Sequence, residues 1–405
     1  MESRTGFILA LGVVSTLLFM GRTIIIPTLP LYARLFDASD VMIGGLVAAN
    51  GLARLLFDIP AGGLALRRHP KRYLILGLSI VSASSLLAAL ATDYWTLLIA
   101  RMIEGAGASI YVVCALTLMG QATTLRKRGR ILALYIAMID AGTMIGPLFG
   151  GYTAEAFGLS TPFYLYAVVV GVAAIWTAFV LRIPPEIETS TERSEKHVTG
   201  REMITLIRNP AVMLVGLATL SLFLTRGAIT QTAIPIFAFD NLGATRWNAG
   251  ILLSAVNLAS LLITAPSGAL TDRVGRKPMA MLSILATATV ILLIPFAPTV
   301  QTLLIFMVLY GLALGLSGPT SAWFIDVTPP DVRGTGMGLY RLGNDFGLFI
   351  GPAIAGLLID VTKTPGGIVQ PLVFQATAIF LVIVLLLISR APDPVRSQRL
   401  AANRE

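Results

Sequence analysis

The sequence predicts an all-α membrane protein of twelve transmembrane helices in two similar six-helix bundles. Three observations carry this expectation. Of 405 residues, 56% are hydrophobic and only 13% charged, against roughly 25% charged in soluble domains. A chain this apolar cannot cover its own surface in water. The apolar residues also fall in long runs, and crossing a bilayer core of about 30 Å as a helix takes about 20 of them. Finally, the second half of the chain repeats the first.

The runs lie near 7–33, 42–65, 73–92, 95–122, 131–156 and 163–181, then 211–237, 248–270, 278–296, 301–325, 335–361 and 371–390. They are helices, because lipid admits only helices or closed barrels and barrel strands are alternating segments of roughly ten residues. The first run is too long for a signal peptide and has no small-residue cleavage site, so it reads as a retained helix. Twelve spans leave both termini on one side. Of the basic residues outside the spans, 22 lie with the termini and the even-numbered loops, and only Arg34, Arg246 and Lys363 lie opposite. The positive-inside rule then places both termini in the cytoplasm of a multi-pass plasma (inner) membrane protein. The net charge of +9 is thereby topology. A nucleic-acid reader would gather its charge on one domain or stripe. The one long polar stretch, 182–208, is a cytoplasmic linker with a short amphipathic helix over 200–208. It separates an N-terminal bundle, 1–181, from a C-terminal bundle, 209–391, and a tail follows over 392–405.

A shift of 205 residues aligns the halves. Between 128–151 and 333–356, ten of 24 positions are identical, among them Asp140 with Asp345 and Gly146-Pro147 with Gly351-Pro352. The same shift brings Pro30 onto Pro235, and within one residue of it Arg22 meets Arg226. Two parallel six-helix repeats about an axis along the membrane normal can rock around a site between them.

Three segments, one of them repeated in the second half, carry chemistry. The loop after span eight reads Gly268-x-x-x-Asp272-Arg273-x-Gly275-Arg276-Lys277. Its glycines allow helix ends to approach, and Asp272 suits a helix N-terminus. The bland alternative is a basic turn that sets topology. Span four carries Arg101-x-x-Glu104-Gly105-x-Gly107. Residues three apart share a helix face, and ionisable residues inside a membrane are costly and usually functional. A protonated Glu104 would leave Arg101 unpaired, which makes the pair a proton-coupling candidate; a structural ion pair is the equal alternative. Asp58 and Asp140 are further proton-coupling candidates, set against internal pairing of Arg54 with Asp58 and of Arg341 with Asp345. Span five carries Gly142-x-x-x-Gly146-Pro147-x-x-Gly150-Gly151, repeated on span eleven as Gly347, Gly351, Pro352 and Gly356 with Ala355 for the first paired glycine. Small residues permit close helix contact in lipid, and the proline adds a kink.

These segments resemble the signature motifs of the major facilitator superfamily over about 390 residues of the chain. The loop after span eight matches the family's signature loop. The first-half copy departs from it, with Arg67 where the family has Asp. The span-four motif resembles the family's Arg-x-x-Gln-Gly-x-Gly, with Glu104 in the Gln place. The span-five motif is similar to that of the twelve-helix drug:proton antiporter branch. The resemblance implies alternating access, with Gly268, Asp272, Arg273, Gly275 and Arg276 as a conformational latch. It also implies proton-coupled efflux of small amphipathic or multidrug-type cargo, and a cavity lined by spans one, four, seven and ten.

On those spans Arg22 and Arg226 lie about 20 Å from their outer ends at 1.5 Å per residue. Guanidinium groups at that depth need anions. Either Glu104 and other internal carboxylates supply them and the cargo is lipophilic, or an organic anion or lipid-like zwitterion is gripped by both arginines. Arg22, Arg226, Glu104 and Tyr310 are therefore the substrate-binding candidates. Tyr310 stands among span-ten aromatics (Phe306, Trp323, Phe324) that more often simply pack. The expected partners are a small-molecule substrate, protons or another coupling ion, and membrane lipid, around a monomer. No cofactor is expected: no Gly-rich loop ends in Lys-Ser/Thr, and the one cysteine, Cys114, with His69 and His197 makes no metal-ligand spacing. A membrane-embedded enzyme is a remoter alternative, since no nucleophile or histidine array shares one depth.

Overall fold

The computed structural model describes residues 2–65, 69–122, 128–184, 200–318, 320–329, 332–391 and 393. Among them the regular elements are helical throughout. Among the described residues eleven helices are long and apolar enough to cross a membrane, and the shorter apolar helix Leu372–Ile388 completes twelve spans. The helices group into two compact units. One comprises residues 1–196 with 244–254, the other 197–243 with 255–405.

In the first unit, span one is the helix Glu2–Ile24, followed by the short helix Leu29–Arg34. The expected single run over 7–33 is therefore broken at 25–28. Pro27 and Pro30 remove two backbone donors in succession, and a proline ring clashes with the carbonyl four residues before it. Tyr32 anchors the short helix by donating to Ala88 O at 2.9 Å. Spans two to six are Asp40–Ala65, Pro70–Ala89, Tyr94–Ala122, Arg128–Phe157 and Thr161–Phe179. Span four is the centre of this unit. Gly105 accepts Asn50 and Ala53 of span two, where a Cβ would come within 2.6 Å of Asn50 O, and Gly107 accepts Ile80 of span three.

The span-five glycines lie against span one. A Cβ at Gly142, Gly146 or Gly150 would fall on Thr16, Met20 and Thr23, or Ile24 of span one, mostly on backbone oxygens. One residue further on, Gly151 faces Arg246 and Gly250, with Arg246 O at 2.6 Å from a Cβ. Arg246 also donates to Ala154 O at 2.9 Å, within the same unit.

The second unit repeats the arrangement. Span eleven, Arg333–Thr362, packs Gly347 and Gly351 on Leu220, Leu224 and Ala228 of span seven, and Gly356 is buried. Span eight is Arg246–Val274, span nine Arg276–Leu293, and span ten is split into Val300–Gly315 and Thr320–Val327. Span seven holds the largest departure from expectation. It runs as the α-helix Pro210–Thr225, a π-helical segment Arg226–Ala233, and the α-helix Ile234–Leu242. The short helix expected over 200–208 is present as Gly200–Ile207.

Candidate functional site

The polar groups of the first unit converge on span four. Arg101 and Glu104, on successive turns of one helix face, form an ion pair with side chains only 5% and 4% exposed. Tyr166 of span six donates its hydroxyl to the other carboxylate oxygen of Glu104 at 3.1 Å. The tyrosine reaches that position because Gly21 of span one has no side chain: a Cβ there would run into the Tyr166 ring. Beside Gly21, Arg22 is part-buried, and the ionisable groups around it are Arg54, Glu104, Tyr166 and Arg101. Among the described residues no ion pair or hydrogen bond closes on Arg22. Glu104 is thus the carboxylate among the charges that act on Arg22. Asp58 lies one turn along span two from Arg54 and accepts a hydrogen bond from Ser109 of span four. Asp140 is part-buried on span five, where Thr143 caps its carbonyl at 2.8 Å.

A second polar link crosses the same unit. The Ser15 hydroxyl lies 2.7 Å from Tyr111 Oη and 2.8 Å from Tyr135 Oη, all three buried, which ties spans one, four and five.

In the second unit Arg226 opens the π-helical segment. Tyr310 is fully buried, with its hydroxyl 3.2 Å from Thr230 Oγ1, and Arg226 is the charge that acts on both Tyr310 and Tyr340. Trp323 and Phe324 belong to a buried apolar cluster with Val212 and Val215, so these two aromatics pack.

The loop after span eight ties down its own unit. Gly275 takes φ +118°, a conformation that suits only glycine, and the Asp393 carboxylate packs where a Cβ would stand. Arg276 Nε pairs with Asp326 Oδ2 at 3.2 Å, and Lys277 donates to Ser389 O. Arg273 is exposed and Gly268 has open space around it. The side chain of Asp272 lies outside the described residues, as do Arg67 and its neighbours in the first-half loop. Among the described residues no cluster of His, Cys, Asp or Glu has metal-binding geometry.

The structure brings together Arg22, Arg101 and Glu104 from the sequence candidates, and separately Arg226 with Tyr310. It adds Tyr166, which sequence reasoning missed. No sequence signal marked it, since Tyr166 lies in an apolar run on another span.

The family model of the Major Facilitator Superfamily matches residues 11–239 and 217–405. Multidrug resistance protein 2 of Bacillus subtilis (strain 168) is 25% identical over 367 residues, covering 89% of this chain and 90% of that protein. The synaptic vesicular amine transporter of Homo sapiens is 25% identical over 332 residues, covering 80% of this chain and 63% of that protein. A crystal structure of the nucleoside transporter NupG superposes with a TM-score of 0.77 at 17% identity, covering 95% of this chain and 98% of that one. A bacterial homolog of the human lysosomal transporter Spinster, inward-facing and unoccupied, gives 0.74 at 19%, over 95% of this chain and 96% of that one. At these identities the structural likeness speaks for fold alone.

Proposed function

This chain belongs to the Major Facilitator Superfamily, and from that premise we propose that it is a proton-coupled exporter of small amphipathic, drug-like molecules. It works by alternating access in the plasma membrane, with both termini cytoplasmic. The observation that carries this reading is Glu104, a carboxylate buried at mid-helix and held by Arg101 and Tyr166. The 25% identity to a multidrug resistance protein supports the cargo class.

The chemistry follows from the contacts. Ionised, Glu104 balances Arg101 and accepts from Tyr166, which links span four to span six. A proton on Glu104 removes the charge that Arg101 needs and weakens that link. Buried charges left without compensation are expensive, so the protonated unit favours another arrangement of the same helices. A proton and a ligand thereby bias one two-state element, as coupling requires.

A second reading is favoured by one specific observation. Arg22 has no carboxylate of its own among the described residues, so an organic anion or zwitterion has a guanidinium to meet. The two readings differ in sign. A cationic cargo competes with the proton for the field of Glu104 and is exchanged against it. An anion seated at Arg22 offsets positive charge there and favours the proton on Glu104. Linkage is reciprocal, so ligand binding must move protons the opposite way in the two cases.

The test is proton release on adding tetraphenylphosphonium to the purified protein in weakly buffered detergent solution, alongside tetraphenylphosphonium flux in proteoliposomes under an imposed pH gradient. Release that disappears in Glu104→Gln, together with flux driven against the proton gradient, supports the first reading. Proton uptake with organic anions supports the second. Proton exchange that persists unchanged in Glu104→Gln removes Glu104 from either account.

A further inference from the structure

The π-helical segment of span seven is the feature the transport reading leaves unexplained. Of its eight residues, Gly227, Ala228, Ile229, Thr230, Thr232 and Ala233 are buried, and only Arg226 and Gln231 keep accessible surface. They are five residues apart. In an α-helix that separation turns a side chain about 140° away. Where hydrogen bonds close five residues back, it is about one full turn, and the two side chains stack on one face. The register therefore decides whether Gln231 stands over Arg226 or on another side of the span.

The register has local causes. Ile234 N–H bonds to Ile229 O, five residues back, and the Thr232 hydroxyl donates to Gly227 O at 3.1 Å. Gly227 lets Pro352 of span eleven press close, at 2.8 Å from where a Cβ would be. Pro235 follows in the first turn of the next helix, where a ring would clash with the carbonyl four residues earlier had the α-helix continued. The sequence carries the same signature. From Arg22 to Pro30 is eight residues in the first half, and from Arg226 to Pro235 is nine in the second. The extra residue is absorbed in the wide turns.

Neither the Arg226 nor the Gln231 side chain has a hydrogen bond or ion pair among the described residues. An arginine and a glutamine sharing the sole accessible face of a span segment do not belong against lipid. Every group they offer is an N–H donor apart from the glutamine carbonyl, and Tyr310 stands behind them, bonded to Thr230. We propose that the π-helical register of span seven aligns Gln231 with Arg226 as a two-pronged clamp for an anionic oxygen group, a carboxylate or a phosphoryl group, carried by the transported molecule. The inference rests on the second, organic-anion form of the transport reading and names one functional group of its cargo. Arg226 supplies charge and a planar pair of donors. Gln231 supplies a directional third donor, and the wide turns hold the two in register. A carboxylate or phosphate so held accepts from both residues.

The test uses the full chain in detergent, with benzoate, phenyl phosphate and benzylamine as probes sharing one ring, and the ligand-induced rise in unfolding temperature as the readout. Benzoate or phenyl phosphate should stabilise the wild type while benzylamine does not, and whichever acid binds tighter identifies the group. Gln231→Glu, which sets a carboxylate beside Arg226, should weaken the bound acid at least about tenfold, the usual consequence of losing a charge-assisted hydrogen bond. Pro235→Ala leaves both donors chemically intact but removes the obstacle to an α-helical register, and should weaken binding by a similar factor. Should Gln231→Glu fold poorly, Gln231→Leu tests the same donor. Equal acid binding in the wild type, Gln231→Glu and Pro235→Ala would overturn the clamp, as would stabilisation by benzylamine alone. Binding is measured without a gradient, so loss of proton-driven flux with intact acid binding would count against the transport reading and not against the clamp.

Discussion

Replacing Tyr166 by Phe removes one hydroxyl and nothing else. The ring keeps its packing against Gly21 of span one, and the bond lost is the 3.1 Å contact to Glu104 Oε1. Two scales bear on the magnitude. Hydrogen bonds to charged groups contribute about 1.5–3 kcal/mol in soluble proteins, whereas interhelical bonds within a membrane average about 0.6 and reach about 1.7 kcal/mol. The membrane values are small because the reference state finds other partners. Here Glu104 is 4% exposed and already spends its other oxygen on Arg101, so few replacements are within reach. The top of the membrane range, about 1.5 kcal/mol, is therefore expected, close to tenfold in an unfolding constant. The assay is equilibrium unfolding of the purified protein in mixed micelles, in a cycle with Glu104→Gln. The two substitutions should couple by about 1 kcal/mol or more, since they share one bond. Additivity within about 0.3 kcal/mol would mean that the tyrosine hydroxyl does not hold the carboxylate, and the span-four to span-six link would fall with it.

Three further outcomes follow from the geometry. Gly150→Ala should lower stability by about 1–3 kcal/mol through overpacking, because its Cβ would fall on the Ile24 carbonyl, whereas Gly268→Ala, with open space around it, should be neutral or slightly stabilising; matched thermal unfolding of the two variants decides it. Asp93 accepts from Thr96 N at 2.9 Å and Thr96 Oγ1 at 2.6 Å, and these bonds hold its carboxyl below the ordinary carboxylate value. A depressed folded value means the cap is present above the unfolded value of about 3.9 and is lost as pH falls through the folded one, so hydrogen exchange at the start of span four should quicken below about pH 4 in the wild type and at all pH in Asp93→Ala. Arg276→Gln should change stability by less than about 1 kcal/mol, because its pair with Asp326 is 19% and 33% exposed; a larger loss of thermal stability would show that the loop after span eight is part of the core.

The corrections to the sequence reading share one cause. Pro30 and Pro235 align, and the sequence says only that each interrupts a helix. In the first half Pro27 adds a second interruption, and the helix breaks at 25–28. In the second half position 232, aligned with Pro27, is a threonine whose hydroxyl bonds Gly227 O, and the chain stays helical with wider turns. The choice between break and wide turn depends on whether a neighbouring span can press on the irregular backbone. That is a property of packing. The place of Tyr166 is of the same kind, because a tyrosine in an apolar run carries no mark of the carboxylate it will meet.

What the sequence determined by itself was everything that depends on solvent and spacing. Apolar runs of bilayer length fix the spans, since lipid cannot satisfy a bare backbone. The 205-residue repeat fixes two like halves, and glycines four apart fix which helices approach most closely, because the absence of a side chain is readable wherever it occurs. Arg101 and Glu104 could be paired from sequence because three residues on a helix is a local distance. Only the tertiary structure decided that Tyr166 and Arg22 join that pair, that Asp58 meets Ser109, and that Arg226 shares its face with Gln231. Those meetings are set by side chains from different spans, or by a turn one residue too wide, and neither is written in the periodicity of a single helix.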